Sequence, residues 1–270
     1  MGRISMTILG SSLKKLKVGR AIASFASRGA VASYKARKDP YAQRRVGVRF
    51  VGEYSKRLID LLDVKTTFQY SPKILPDKNY FMVCNHMSYL DIMVLGAIRP
   101  SVFITSVDMR NTFFLGDLAK LGGSFFVNRK DRSKIKEEVA ELEDLVANGF
   151  DVFLFPEGTS SNGMQGVLPF KRSIFRVPFG AKIPIIPISL RYTHVDGEPF
   201  SAKNCDEVTW HSKMTFAPHL NQLTEKKEIK VDVRYLDPVD PSGFKDHGDL
   251  SEHMRELISA EYQRQSELTD

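Results

Sequence analysis

Apolar residues in this chain fall into short unbroken runs separated by stretches with helical spacing. The runs NYFMVCNH (79–86), SVFITS (101–106), GSFFVNR (123–129), FDVFLFPEG (150–158) and IPIIPISLRY (183–192) are rich in Phe, Val and Ile and bounded by Gly, Pro or Asn. Strands covered on both faces have this pattern. KMTFAPHL (213–220) and EIKVDVRYL (228–236) read as two more strands, the second alternating Ile229, Val231, Val233 and Tyr235 like a half-covered edge. Between the runs lie amphipathic stretches. In 44–64, Val48, Val51, Tyr54, Leu58, Leu61 and Leu62 gather near one helical face, and SPKILPDK (71–78) follows as a Pro-rich connector. Helices are expected over 88–98, over 109–123 with a glycine stop, and over 173–182. The clearest, 131–149, has Asp131 or Ser133 as its cap, Ile135, Val139, Leu142 and Val146 as its stripe, and Gly149 as its end. A last helix over 248–265 is capped near Asp249 or Ser251. Strands alternating with helices predict an α/β fold with a mostly parallel central sheet flanked by helices.

The length, 270 residues, suits one such domain with an appendage, and 42% hydrophobic against 26% charged residues suits a buried core. Two cysteines, Cys84 and Cys205, build neither a disulfide framework nor a Cys-rich zinc site, and fit a reducing compartment. The net charge of +7 is unevenly placed: residues 1–57 hold 14 Lys/Arg and 2 Asp/Glu. No run approaches the ~18 apolar residues of a spanning helix. MTILG is too short for a secretory signal, and Met6 breaks the myristoylation pattern. Ile4, Ile8, Leu9, Leu13 and Leu16 recur at helical spacing beside Lys14, Lys15, Lys17 and Arg20. Residues 1–70 are therefore expected to form a basic helical appendage that docks on an anionic membrane surface, each cation contributing ~1 kcal/mol. The alternatives are a solvated arm or a helix packed on the protein's own core. The segment carries no nucleic-acid recognition module, and no nucleic-acid partner is expected.

Chemistry in an α/β sheet gathers where strands end. His86 ends the first strand, with Asp91 five residues on, about a turn and a half into the next helix. A carboxylate on one ring nitrogen would fix the tautomer and leave the other as a base. Such a base can activate a bound alcohol directly, with no serine nucleophile. Taken alone, a histidine at a strand end is more often a helix cap or a satisfied core residue. Two more strand endings fall on the same side of a parallel sheet: Arg129 after GGSFFVN, and FPEGTSS (155–161), whose turn offers backbone N–H groups, hydroxyls and a carboxylate. Cys84 shares a strand face with His86, so a thiol mechanism is the rival to a small buried hydrophobe there. His194, His211, His219, His247 and His253 show no metal-ligand spacing, and Trp210-His211 reads as a packing corner.

Over about residues 75–220 the chain resembles the lysophosphatidic acid and glycerol-phosphate acyltransferases. Asn85, His86 and Asp91 match the family's first block, and Gly123, Phe126, Val127 and Arg129 the second. Phe155, Pro156, Glu157, Gly158, Thr159 and Ser161 match the third, and Ile183, Pro184, Ile186 and Pro187 the fourth. Lys171 sits where the family usually has a lysine. The resemblance implies an acyltransferase domain over 71–270, with His86 as general base and Asp91 orienting it. It also implies that Arg129, Glu157, Gly158, Thr159 and Lys171 bind the acceptor. The donor would be acyl-CoA or acyl carrier protein, and the acceptor a lysophospholipid, 1-acyl-sn-glycerol-3-phosphate first. Neither metal nor cofactor is implied, and the location is peripheral, on the cytoplasmic face of a bacterial inner membrane. Ser160 departs from the family's arginine and leaves open a different lyso-lipid acceptor. A non-catalytic membrane-binding module and a hydrolase are the other readings. Replacing Cys84 with Ala is expected to leave turnover nearly intact, whereas His86→Ala should abolish it; the reverse pattern in an acyl-transfer assay would exchange their roles.

Overall fold

The computed structural model describes residues 2–128 and 132–268, and the side chains of these except at 2–11, 132 and 135. Two long helices, α1 (Gly2–Ala36) and α2 (Pro40–Leu61), open the chain as a hairpin. Asp39 caps α2 by accepting from Tyr41 and Ala42 N–H, with Pro40 at the first helical position where its missing donor costs nothing. Phe25, Phe50 and Tyr54 fill the seam between the two helices, and Ser24 hydrogen-bonds the Tyr54 hydroxyl at 2.7 Å. On its inner side α1 buries Val18 and Ala21 in the main core. Lys14 reaches Asp63 and the Lys226 carbonyl, and Lys15 reaches Glu225. One face of α1, with Lys14, Val18 and Ala21, thus packs on the protein's own core, while Leu13 and Leu16 stay half exposed.

The rest alternates: β1 (Val64–Tyr70), β2 (Phe81–Cys84), α3 (Tyr89–Ile98), β3 (Val102–Ser106), α4 (Val107–Arg110), α5 (Leu115–Leu121), β4 (Phe125–Val127), α6 (Ile135–Ala147), β5 (Val152–Leu154), α7 (Arg176–Ala181), β6 (Ile185–Val195), β7 (Glu198–Pro199), α8 (Phe216–Leu223), β8 (Ile229–Tyr235) and α9 (His247–Glu267). Among the described residues the sheet runs β1-β8-β6-β2-β5-β3-β4, with β7 folded back on β6. From β6 to β4 every pairing is parallel, and β8 with β1 runs the other way. The sheet is mostly parallel, flanked by helices, as expected from the alternation of elements. Strand β2 lies between β6 and β5, with Phe81 opposite both Ile185 and Val152, and all four of its residues have no exposed surface. The ends of β2, β5, β3 and β4 therefore share one edge of the sheet.

Several local expectations fail for physical reasons. Residues 64–70, expected in the appendage, form β1, which pairs in parallel with β8. Strand β8 then has neighbours on both sides and is not an edge; the edge is β1, where Phe68 is 56% exposed. Polar VKTTFQY hides a strand whose pairing lies more than 160 residues away. Residues 216–223 are helical, not extended, and Pro218 falls in the first turn, where its lack of an N–H is tolerated. The helix expected over 109–123 breaks into α4 and α5 at Phe113–Phe114. Helix α9 is capped by Asp246, which accepts from Gly248 and Asp249 N–H, rather than by Asp249 or Ser251. Helix α6 has Lys134 at its cap, and Asp131 lies outside the described residues.

Helix α2 approaches the backbone of its neighbours at Gly47, where a Cβ would stand 2.7 Å from Gly123 N and from the Leu121 carbonyl. Gly47→Ala is therefore expected to lower stability by about 1–3 kcal/mol. Gly19→Ala, in an α1 position with nothing within 4 Å, should raise it by about 0.5–1 kcal/mol. Denaturant unfolding of the two variants checks the pair.

Candidate active site

Between the last residue of β2 and the first of α3 the chain has four residues in which to turn, 85–88. Asn85 anchors the turn with its side-chain amide, donating to the Leu190 carbonyl at 2.8 Å and accepting from Leu190 N–H at 2.9 Å. Ser88 caps α3, and Asp91, the third helical residue, closes a capping box by accepting from Ser88 N–H at 2.9 Å. Asp91 thus stands in the first turn of α3, earlier than the turn and a half expected, because the cap is at 88.

The Asp91 side chain has no exposed surface. Its Oδ2 accepts from Met87 N–H at 2.7 Å and meets His86 Nδ1 at 2.9 Å, while Oδ1 accepts from the Tyr192 hydroxyl of β6 at 2.6 Å. Burial, then the charge of Asp91, hold the Tyr192 phenol well above its ordinary range, so it stays a donor. With an acceptor on Nδ1 the neutral ring keeps its proton there, and Nε2 carries the lone pair. The His86 ring stacks on Phe155 at the end of β5, with centroids 4.0 Å apart and planes at 16°. Its side chain is 18% exposed and borders a cavity of about 450 Å3. That cavity runs past Met93, Phe103 and Leu115 to Ile22, Phe25 and Leu58 of the helical hairpin, an apolar path from the imidazole.

The third block lies directly against the first. His86 N–H donates to Glu157 Oε1 at 3.1 Å, and the His86 carbonyl accepts from Ser161 N–H at 3.0 Å. Glu157 is 3% exposed and does not border the cavity; it acts on the site through the His86 backbone. Burial pushes its carboxyl up to about 8, and its Oε2 has no hydrogen-bond partner among the described residues. Gly158, with φ +70°, turns the chain so that Thr159 and Ser160 follow it along the cavity wall. Ser160 donates to the Trp210 carbonyl at 2.5 Å, and Trp210 N–H donates to the Met87 carbonyl at 2.9 Å. The Trp210-His211 corner is therefore part of the wall, with Tyr89 set edge-on to Trp210 and Phe216 and bonded to His219 Nδ1 at 3.0 Å.

The structure brings His86, Asp91, Gly158 and Thr159 together, with Glu157 beneath them. Lys171 N–H donates to the Pro156 carbonyl of the third block at 2.9 Å, but the residue borders a second cavity of about 220 Å3, with Glu138 and Ser173, rather than the cavity beside His86. Arg129 lies outside the described residues. Cys84 is fully buried, and burial holds its thiol well above the usual range, the opposite of what a thiolate nucleophile needs. Among the described residues no three His, Cys, Asp or Glu are grouped to hold a metal. Tyr192 and Ser88 were missed by sequence reasoning. The S-x-x-D spacing could have identified Ser88, but no local signal ties Tyr192 to Asp91 across 101 residues. An imidazole in this state can take a proton from a hydroxyl held at Nε2 and later return it.

Glu157 favours its protonated form in the fold, so its contribution to stability is fully present below its ordinary pKa of 4.5 and is lost as pH rises through about 8. Glu157→Gln keeps an acceptor for His86 N–H and should remove this loss. Relative to wild type, its melting temperature is expected to rise between pH 5.5 and pH 8.5, and parallel curves would show that Glu157 does not titrate in this window.

The acyltransferase family profile matches residues 64–191. The chain is 30% identical over 186 residues to a lyso-ornithine lipid O-acyltransferase of Brucella abortus (strain 2308), covering 66% of this chain and 69% of that protein. It is 26% identical over 179 residues to a 1-acyl-sn-glycerol-3-phosphate acyltransferase of Neisseria gonorrhoeae, covering 66% and 68%. The crystal structure of the 1-acyl-sn-glycerophosphate acyltransferase PlsC from Thermotoga maritima has the same fold, with a TM-score of 0.68 at 20% identity over 96% of this chain and 97% of that one.

Proposed function

Because the chain belongs to the acyltransferase family, we propose that it moves a fatty acyl group from a thioester donor to the free hydroxyl of a lyso-lipid, with His86 as general base. The observation that carries this reading is the 2.9 Å contact of His86 Nδ1 with buried Asp91, its ring bordering an apolar cavity of chain-binding size. The acceptor oxygen attacks the thioester carbonyl as Nε2 takes its proton. The tetrahedral intermediate then collapses, the C–S bond breaks, and the proton on Nε2 passes to the leaving thiolate. Asp91, held by two backbone N–H groups and Tyr192, steadies the imidazolium that forms between these steps. None of the steps draws on a metal or prosthetic group. Either coenzyme A or acyl carrier protein supplies the thioester.

Two acceptors fit the family. The motif blocks favour 1-acyl-sn-glycerol-3-phosphate. A lyso-lipid without a phosphate monoester, such as the lyso-ornithine lipid named for the Brucella relative, is favoured by position 160. There a serine bonded to the Trp210 carbonyl replaces the family's arginine, and the described residues bordering the cavity include no Lys or Arg. The enzyme works as a peripheral protein on the cytoplasmic face of a membrane. No described helix is long and apolar enough to cross one. On α1, Leu13, Leu16, Lys17 and Arg20 are exposed at the spacing of one helical face, which supports docking by that helix.

A panel of lyso-lipid acceptors with one labelled acyl thioester tests the reading. Diacylated lipid is expected from the wild type, and His86→Ala should lose at least about a hundredfold in rate. Ser160→Arg should raise the share of product made from the phosphate-headed acceptor. Release of free fatty acid alone would make the protein a hydrolase and overturn the assignment.

A further inference from the structure

Between α4 and α5 the chain makes a tight turn that puts two phenylalanines at the surface. Phe113 is 95% exposed and Phe114 36%. Phe114 has φ +67° and ψ −55°, and Leu115 N–H donates to the Phe113 carbonyl at 2.8 Å, closing a three-residue γ-turn of the rare, strained kind. The turn is nonetheless closely built. Thr112 N–H reaches the Met109 carbonyl at 3.0 Å, Gly116 N–H reaches the Thr112 carbonyl at 2.9 Å, and a Cβ on Gly116 would stand 2.2 Å from the Arg110 carbonyl. Two unfavourable features, an aromatic residue in the left-handed region and a neighbouring ring in water, are thus held together by a packed frame.

The turn adjoins the His86 cavity. Met109 on one side and Leu115 on the other border that cavity, and so does Phe216, whose ring lies 6.4 Å from that of Phe114. Helix α5 in turn packs on α1, where a Cβ on Gly29 would meet Leu121. The exposed ring therefore sits outside the cavity, on the turn that joins Met109 and Leu115 of its wall and leads into the helix packed on the proposed docking helix. Resting on the lipid acceptor proposed above, we infer that the 111–115 turn is a second contact with the phospholipid leaflet, Phe113 entering the boundary between headgroups and acyl chains. Insertion buries the exposed ring and sets the cavity wall against the phase in which lipid substrates reside. Arg110, three residues before the ring, is exposed with its guanidinium 5.5 Å from the Phe126 ring centroid, and supplies a cation to anionic headgroups beside the inserted ring.

Cys84 and Cys205 are buried, so Phe113→Cys in the full chain places an accessible thiol at the turn for an environment-sensitive nitrobenzoxadiazole label. On adding phosphatidylethanolamine–phosphatidylglycerol vesicles, the label's emission should shift to the blue, and lipid chains brominated near the headgroup should quench it. Phe113→Asp should lower acylation of a vesicle-borne acceptor about tenfold and leave the rate on a monomeric short-chain acceptor unchanged. An aqueous emission from the label in the presence of vesicles overturns the inference, whether or not the protein sediments with them. So does a wild-type rate for Phe113→Asp on vesicles, which would point to a protein partner for the ring. Should the wild type acylate no acceptor at all, the proposed function falls, while the label still decides whether the turn enters the leaflet.

Discussion

The site depends on one fully buried carboxylate. Asp91 stands in the first turn of α3, where two backbone N–H groups, a phenol and an imidazole converge on its two oxygens. A charge so far from water is tolerable only when its acceptor sites are filled and the positive end of a helix lies close by. The same bonds lock the geometry of the chain. The turn from β2 to α3 cannot relax without stripping Asp91 of donors, so the imidazole is held with one nitrogen toward the acid and the other free. The tautomer of the proposed base therefore follows from the way a helix is capped.

Glu157 extends this arrangement to the next strand end. Its carboxyl receives His86 N–H while Ser161 N–H reaches the His86 carbonyl, so the loop after β5 grips the histidine backbone from both sides. Burial keeps that carboxyl protonated through much of the neutral range, which avoids a second buried charge beside Asp91. The surroundings of the two acids differ: donors meet both oxygens of Asp91, while one oxygen of Glu157 has no hydrogen-bond partner among the described residues. Ser160 and Trp210 then link this loop to the aromatic wall, so one continuous set of bonds joins the proposed base to the lining of its cavity.

The helical hairpin borders the cavity, and its first helix carries the surface proposed for docking. Ile22, Phe25 and Leu58 border the cavity, while Leu13, Leu16, Lys17 and Arg20 are exposed on α1. A helix with a core face and a polar-apolar outer face is consistent with the proposed docking of the cavity against a lipid surface.

Unbroken apolar runs made β2, β3, β4, β5 and β6 legible, because a strand covered on both faces leaves no polar positions to confuse the pattern. The glycine and proline punctuation bounded them, and block spacing located His86 and Asp91 together. What stayed hidden depended on distant partners. Strand β1 is polar and becomes a strand only by pairing with β8, and β8 reads as an edge until β1 is beside it. The 216–223 segment is apolar enough for either state, and a proline in a tolerated position does not decide between them. Tyr192 shows nothing local that aims it at Asp91, and Glu157 reads as a surface ligand until the fold buries it. Local sequence determined where chain segments stiffen and where polar groups sit along them. Only tertiary packing decided which of those groups lose water and which find one another, because desolvation and long-range pairing are properties of the assembled fold.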